Sequence, residues 1–205
     1  MKKCYIVSGF NPIIKEKYDG LLIGVDRGCL LLAENEINID VGIGDFDSVN
    51  KKEFEIIKKA CKNIVKLNPI KDDTDFEHSL NYARDNGYKQ IEVYGVLGGR
   101  QDHNLLNIKL MYQSDLNIVL YDDCNKLFCL DKGKHIINKD GYKYLSLFVF
   151  GKCLLSIKGT AYELKDRELT QLDNYTTSNE ILNDECLIEI KQGRVLVVQA
   201  CDKVL

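Results

Sequence analysis

The sequence predicts an α/β domain with a mostly parallel sheet in three layers, followed by an all-β domain that forms an antiparallel β-sandwich. Up to residue 121, short apolar runs alternate with amphipathic stretches, which is the pattern of parallel strands joined by helices. From residue 126 onward, short apolar runs are separated by Gly, Asn and Asp turns without a convincing helical period. The pattern changes at residues 122–125, so we place the two domains at 1–123 and 124–205.

Composition excludes several classes of protein. The chain has 205 residues, 45% of them hydrophobic and 29% charged, with a net charge of −3 and dispersed basic residues, which argues against a nucleic-acid partner. No apolar run is long enough for a membrane span or a signal-peptide core, so we expect a cytoplasmic protein without a membrane partner. Eight scattered cysteines and three histidines show neither disulfide nor zinc-ligand spacing.

The elements follow from the apolar pattern in chain order. In the first half we predict strands at 3–7, 21–25, 41–43, 64–67, 91–94 and 118–121. Between them we predict helices at 29–34, 51–62, from 76 to a stop at Gly87, and 105–112. In the second half we predict strands at 127–130, 135–138, 144–150, 154–157, 187–191 and 195–199. Several strands of the first half run into polar loops, where functional residues are expected.

The loop Gly44-Asp45-Phe46-Asp47-Ser48 follows the third strand. In an extended loop Asp45 and Asp47 project in the same direction, while Phe46 points back into the core and Gly44 leaves room for close approach. Two carboxylates placed in this way suit Mg²⁺, which is held by carboxylates together with substrate phosphates. Taken alone, the same residues also fit a polar turn in which Ser48 caps the next helix.

Further acids follow other strands. Asp26 comes directly after the second strand, and Asp72, Asp73 and Asp75 precede the third helix. Thr74 or Asp75 fits the N-cap of that helix, but three acids in four residues exceed what one cap requires. We therefore expect these loops to add carboxylates to a metal site.

A glycine loop at residues 95–103 joins the fifth strand to the fourth helix. Gly98 and Gly99 allow backbone N–H groups to approach phosphate oxygens, and Arg100 adds a planar fork of donors. The P-loop pattern is absent, and a simple turn capped by Asp102 also fits these residues.

Four motifs in this order carry a family resemblance: Asp26-Arg27-Gly28, Gly44-Asp45-Phe46-Asp47-Ser48, Asp72-x-Thr74-Asp75 and Leu97-Gly98-Gly99-Arg100-x-Asp102-His103. Together with Ser178-Asn179-Glu180 in the all-β half, they resemble the thiamin pyrophosphokinase family. The resemblance implies a kinase that transfers pyrophosphate from ATP to thiamin, giving thiamin diphosphate and AMP. It also implies a homodimer whose active site lies at the subunit interface.

The resemblance also assigns roles to residues. It implies that Asp26, Asp45, Asp47 and Asp75 bind Mg²⁺, and that catalysis depends on Asp45, Asp47, Asp75 and Asp102. ATP contacts would come from Lys71, Gly98, Gly99, Arg100 and Asp102, and thiamin contacts from Tyr162, Ser178 and Asn179. Asp102 is left with two possible roles, the positioning of ATP or help with the acceptor hydroxyl. Residues 159–164 depart from the usual family pattern around Tyr162.

Two other functions stay open at this point. A Mg²⁺-dependent phosphohydrolase would use the same acids with water as the nucleophile. A regulator that binds nucleotide without catalysis would need the glycine loop but would form no AMP.

Overall fold

The structure is a computed structural model that describes residues 2–70 and 72–202. The chain divides into two units, of which the first ends at Asp122 and the second begins at Asp123. Strands and helices alternate in the first unit: β1 (Lys3–Val7), β2 (Leu21–Val25), α1 (Arg27–Glu34), β3 (Ile39–Gly44), α2 (Lys51–Ala60), β4 (Cys61–Lys66), α3 (Asp75–Asp85), β5 (Gln90–Tyr94), α4 (Gln101–Gln113) and β6 (Asn117–Tyr121). None of the helices in the described ranges is long and apolar enough to cross a membrane.

The six strands described in the first unit run parallel in the order β4-β3-β2-β1-β5-β6. The chain adds strands on one side of β1 as far as β4 and then continues on the other side with β5 and β6, so the strand order reverses between β1 and β5. Ligands of open α/β sheets bind at the carboxyl ends of the strands beside such a reversal. The loops after β1, β2, β3 and β5 are therefore placed to form a site.

Helices α1 and α2 cover the sheet because each has an apolar side. Leu30 and Leu32 of α1 and Ile57 of α2 are buried in one cluster with Tyr5 and Leu22 of the sheet. Burial of side chains of this size stabilises the fold by about 1.5–3 kcal/mol each, before the loss of conformational entropy is counted. The cluster therefore holds β1 and β2, and the loops that follow them, in place.

The N-terminus of α2 is closed by Asn50. Its side chain accepts hydrogen bonds from the N–H groups of Lys52 and Glu53, and the Glu53 carboxylate accepts the Asn50 N–H in return. The sequence was also compatible with Ser48 as the cap of this helix, but the capping box is formed by Asn50. Ser48 is therefore not the cap of this helix.

In the part that the structure describes, the second unit contains strands and no helix: β7 (Asn125–Leu130), β8 (Gly133–Asn138), β9 (Tyr144–Phe148), β10 (Lys152–Lys158), β11 (Leu164–Thr170), β12 (Glu185–Gln192) and β13 (Val195–Ala200). They form two antiparallel groups, β7-β13-β9 and β11-β10-β12-β8. Buried residues of both groups, including Leu147, Leu155, Ile188 and Val197, make one core. The predicted fold class, α/β followed by an antiparallel sandwich, is confirmed, although the sequence did not predict β11.

Candidate active site

Three carboxylates from three separate segments of the chain converge beside the carboxyl ends of β2 and β3. Asp26 follows β2, Asp45 follows β3, and Asp75 is the first residue of α3. One carboxylate oxygen from each lies within 4.8 Å of the other two. Three oxygen donors at this spacing suit a hard divalent cation such as Mg²⁺ better than zinc or copper. The structure thus brings together three of the four acids that were predicted to bind metal.

The position of Asp26 depends on its neighbours on β3. Asp26 has a left-handed φ of 48°, its N–H donates to the Ile43 carbonyl at 3.0 Å, and its Oδ1 accepts the Phe46 N–H at 3.1 Å. A Cβ on Gly44 would lie only 2.1 Å from that same Oδ1. The close approach predicted at Gly44 is therefore made by the carboxylate of Asp26.

The cluster changes the acidity of Asp26. Burial raises the pKa of the Asp26 carboxyl to about 7, and the hydrogen bond and negative charge of Asp75 act in the same direction. The Phe46 N–H acts in the opposite direction, because it stabilises the carboxylate. When no cation is bound, the Asp26 carboxyl therefore keeps its proton to higher pH than an ordinary aspartate does. A divalent cation that binds here displaces this proton.

The metal-free protein is expected to lose stability through Asp26 as the pH rises. A folded-state pKa above the ordinary value of about 4 means that the folded protein binds this proton more tightly than the unfolded chain does. The stabilisation is therefore complete below pH 4 and is lost as the pH passes through 7. In a chelating buffer, the Tm of the wild type should fall relative to that of Asp26→Asn between pH 4 and pH 8. A constant difference between the two Tm values would contradict this prediction.

Asp47 lies outside the group of three acids. The loop is not extended as the sequence argument assumed, because Phe46 has a left-handed φ of 59°. Phe46 is buried as predicted, with its ring centroid 5.1 Å from that of Phe54. Asp47 is exposed, and its N–H donates to Asp45 Oδ1 at 3.0 Å. The premise of an extended loop is therefore wrong, and the role of Asp47 as a ligand stays a prediction.

The residues just before α3 and at its first position have different roles. Thr74 caps the helix, because its Oγ1 accepts the Glu77 N–H at 3.2 Å. Asp73 lies 3.3 Å from the His78 ring nitrogen. Of the acids in this loop, only Asp75 belongs to the group of three.

The glycine turn after β5 is held by two asparagines that the sequence analysis missed. Gly98 and Gly99 have φ values of 97° and 64°. The Gly98 N–H donates to Asn104 Oδ1 at 2.9 Å, and Asn107 Nδ2 donates to the Val96 carbonyl at 2.8 Å. The available signal was two amides three residues apart, which share one side of a helix. Because the Gly98 N–H already donates to Asn104, it is not free to bind a phosphate oxygen. The turn therefore offers fewer backbone donors to phosphate than the sequence predicted.

Arg100 and Asp102 form an exposed ion pair beside this turn. The distance from Arg100 Nε to Asp102 Oδ1 is 3.1 Å. The hydrogen bond from Arg100 lowers the pKa of Asp102 to about 2, which makes this carboxylate a poor proton acceptor. Lys71, the remaining predicted ATP contact, lies outside the described residues.

In the second unit, Asn179 holds the backbone of Tyr162. Its Oδ1 accepts the Tyr162 N–H at 3.0 Å, and its Nδ2 donates to the Tyr162 carbonyl at 2.8 Å. Asn179 is buried, whereas Tyr162 is 74% exposed, and both line the same groove of this unit. Ser178 has a φ of 56°, and its N–H donates to Ser146 Oγ at 3.0 Å. Tyr162 and Asn179 are thus brought together, and Ser178 is not among the residues that line the groove.

The unusual segment 159–164 forms a closed turn around Tyr162. The carboxylate of Glu163 accepts the Gly159 N–H at 2.7 Å. The Thr160 hydroxyl donates to the Tyr162 carbonyl at 3.1 Å. Glu163 therefore has a local structural role, which accounts for an acid at this position.

A group of acids suited to a divalent cation, with a glycine turn and an exposed guanidinium at the same edge of a parallel sheet, is typical of α/β enzymes that transfer phosphoryl groups from nucleotides. Residues 16–121 match the family described as "Thiamin pyrophosphokinase, catalytic domain". Residues 134–195 match "Thiamin pyrophosphokinase, vitamin B1 binding domain". The chain belongs to the thiamin pyrophosphokinase family.

Individual relatives agree with this assignment. The thiamine pyrophosphokinase of Bacillus subtilis (strain 168) is 30% identical over 188 residues, which cover 89% of this chain and 88% of that protein. A crystal structure of thiamine pyrophosphokinase from Bacillus subtilis matches with a TM-score of 0.89 and 29% identity, covering 98% of this chain and all of that one. A family member from Enterococcus faecalis matches with a TM-score of 0.87 and 27% identity, covering 99% and 100%. The predicted transferase activity on thiamin, with ATP as co-substrate, is confirmed.

Proposed function

We propose that the chain transfers the pyrophosphoryl group of ATP to the hydroxyethyl group of thiamin with a Mg²⁺ ion held by Asp26, Asp45 and Asp75. The observation that carries this proposal is the convergence of the three carboxylates within 4.8 Å. Bound Mg²⁺ would screen the phosphate charges and polarise the transferred group. We include Asp47 as an additional ligand that joins when nucleotide is bound, because it lies two residues from Asp45 at the exposed side of the same loop.

The phosphates of ATP are assigned to the loop after β5. The Arg100 guanidinium is exposed and offers a planar fork of donors to phosphate oxygens. Helix α4 begins next to it without a side-chain hydrogen bond at its N-cap, which leaves its positive end accessible to an anion. The low pKa of Asp102 opposes proton abstraction, so we assign Asp102 to the orientation of Arg100 rather than to the acceptor hydroxyl. Lys71 is kept as a proposed ATP contact.

Thiamin is assigned to the groove of the second unit. Its thiazolium ring is a cation, and the exposed ring of Tyr162 offers an aromatic face to it. Asn179 fixes the Tyr162 backbone through two hydrogen bonds, so it supports thiamin binding by positioning Tyr162. Ser178 stays a proposed contact that follows from the family resemblance alone.

Substitutions in the two units should separate the two substrates. Tyr162→Ala is expected to raise the KM of thiamin about tenfold, through the loss of a cation–π contact, with the KM of ATP within about twofold. Arg100→Ala is expected to raise the KM of ATP about tenfold, with the KM of thiamin within about twofold, because the planar fork of donors that binds phosphate is lost. Initial rates with each substrate varied in turn measure both effects. Leu172→Ala is the control, since Leu172 is exposed in the same unit as Tyr162 and does not line the groove. Equal effects on both substrates would contradict the assignment.

We also propose that the enzyme is a homodimer in which the first unit of one protomer and the second unit of its partner complete each active site, as the family resemblance implies. Sedimentation of a fully active monomer would contradict it. The cytoplasmic location expected from the sequence is likewise kept as a proposal.

The reaction itself can be tested with the purified chain, ATP, Mg²⁺ and thiamin, with AMP and thiamin diphosphate followed by chromatography. We expect AMP to appear only when thiamin is present and in step with thiamin diphosphate. Phosphate and ADP formed without thiamin would instead indicate a phosphohydrolase. ATP binding without any product would indicate a nucleotide-binding regulator.

A further inference from the structure

The ring of Phe10, from the loop that follows β1, packs against the glycine turn. A Cβ on Gly98 would lie 2.1 Å from Phe10 Cε1, and a Cβ on Gly99 would lie 2.6 Å from Phe10 Cε2. The ring therefore occupies the space that side chains at positions 98 and 99 would need. Phe10 nevertheless stays 45% exposed, so burial in the core does not account for its placement.

The turn is contacted from two directions. Asn104 of α4 accepts the Gly98 N–H at 2.9 Å, and Phe10 covers the Cα side of Gly98 and Gly99. Both glycines have left-handed φ values, which a free glycine turn exchanges readily for other conformations. Contacts on two sides restrict this exchange and reduce the number of conformations that the turn samples.

The segment that carries Phe10 is attached to the end of β5. The Ser8 N–H donates to the Tyr94 carbonyl at 2.9 Å, and the Phe10 N–H donates to the Gly95 carbonyl at 3.1 Å. A Cβ on Gly95 would lie 2.4 Å from the Ser8 carbonyl oxygen and 2.9 Å from Pro12 Cβ. The segment therefore lies directly on the loop that contains the glycine turn, and it places the ring at a fixed position.

A second attachment secures the rest of this loop. Lys15 Nζ lies 2.7 Å from Glu92 Oε2, and the Tyr94 hydroxyl donates to the same carboxylate oxygen at 2.7 Å. The Lys15 ammonium also lies 5.0 Å from the ring centroid of Tyr5 and 4.9 Å from that of Tyr94. The ion pair is partly buried, so solvent screens it less than a surface pair. The loop from β1 is thus held to β5 both before and after Phe10.

We propose that Phe10 is a positioning residue that holds the Gly98–Gly99 turn in the conformation that receives the phosphates of ATP, an inference that rests on the proposed function. Phe10 lies on the loop after β1 and the glycines lie on the loop after β5, which are the two loops that flank the reversal of strand order. The ring acts by filling space against glycine backbone. Without it, the turn has to be ordered when ATP binds, and this ordering weakens binding.

Calorimetric titration of the full chain with ATP and with inorganic tripolyphosphate, both in the presence of Mg²⁺, tests this role. Phe10→Ala is expected to raise the Kd of both ligands by about tenfold, because the turn contacts phosphates rather than the base. Phe10→Leu, which keeps most of the bulk, should restore both Kd values to within about threefold of the wild type. Ile13→Ala is the matched control, since Ile13 is similarly exposed on the same loop. Its affinities should equal those of the wild type.

Three results would overturn the inference. The first is an unchanged Kd in Phe10→Ala. The second is a weaker affinity for ATP alone, with normal tripolyphosphate binding, because this would show that the ring stacks on the base. The third is a failure of Phe10→Leu to restore binding in a variant with wild-type Tm. Since the titration needs no turnover, a wild type that forms no thiamin-dependent AMP would contradict the proposed function and leave the role of Phe10 measurable.

Discussion

Replacement of Asp45 by Asn is expected to lower kcat on the order of 10³-fold, because a bound metal ion contributes several kcal/mol to the stabilisation of the transition state. The same variant should lose cation binding in the absence of nucleotide, since Asp45 is one of the three acids within 4.8 Å of one another. Steady-state rates measure the first effect, and Mn²⁺ titration followed by electron paramagnetic resonance measures the second. Near-normal turnover of Asp45→Asn at modest Mg²⁺ would contradict the assignment of the metal site.

The matched variant Asp47→Asn is expected to behave differently. Its turnover should also fall, but its Mn²⁺ affinity without nucleotide should stay close to that of the wild type, because Asp47 is exposed and lies outside the group of three acids. Asp85→Asn provides the control, since Asp85 is an exposed acid at the last residue of α3, outside that group. Equal losses of Mn²⁺ affinity in Asp45→Asn and Asp47→Asn would place Asp47 in the site before nucleotide binds.

Replacement of Gly44 by Ala is expected to cause a loss of cation affinity on the order of 10²-fold, although the substitution removes no ligand. The added Cβ would lie 2.1 Å from Asp26 Oδ1, so the carboxylate has to leave its position in the group of three acids. When one of three ligands is displaced, the cation is bound more weakly because the remaining ligands no longer surround it in the same geometry. Loss of the contacts that orient ligands weakens other metal sites in the same way. Mn²⁺ titration and the Mg²⁺ dependence of kcat measure this effect.

Gly151→Ala serves as the control for Gly44→Ala. A Cβ on Gly151 would meet no atom within 4 Å, so this variant should keep its cation affinity and its activity. Circular dichroism should show a folded protein in both variants. A Gly44→Ala protein with wild-type cation affinity would show that Asp26 does not depend on the space beside Gly44.

The elements of the fold were largely predictable because burial imposes a pattern on the local sequence. The central parallel strands β1, β2 and β3 are buried along nearly their whole length, so they appear as continuous apolar runs such as 21–25, which coincides with β2. The prediction failed at β11, Leu164–Thr170, where only Leu169 is buried and four consecutive residues are exposed. β11 is the outer strand of its sheet and pairs only with β10 among the described strands. An edge strand carries charged residues, which removes the alternating pattern.

Parts of the site were also predictable from local sequence. Acids and glycines that directly follow apolar runs had to lie at the carboxyl ends of parallel strands, as Asp26, Asp45 and Gly98 do. The family motifs predicted the reaction, because several motifs in a fixed order are specific even though each motif alone also fits a simple turn. The choice of Asn50 rather than Ser48 as a helix cap was open in the sequence, since both residue types serve that purpose.

By itself, the sequence determined the order of the elements apart from β11, the fold class, the family and the loops that carry the acids, because these depend on residue type and spacing along the chain. Only the tertiary structure decided which side chains meet. It brought Asp75 to Asp26 across 49 positions of sequence, raised the pKa of Asp26 to about 7 by burial, and placed Phe10 against the glycine turn. The physical reason is that contacts between distant segments depend on backbone geometry and on the space left beside glycine residues, neither of which local patterns record.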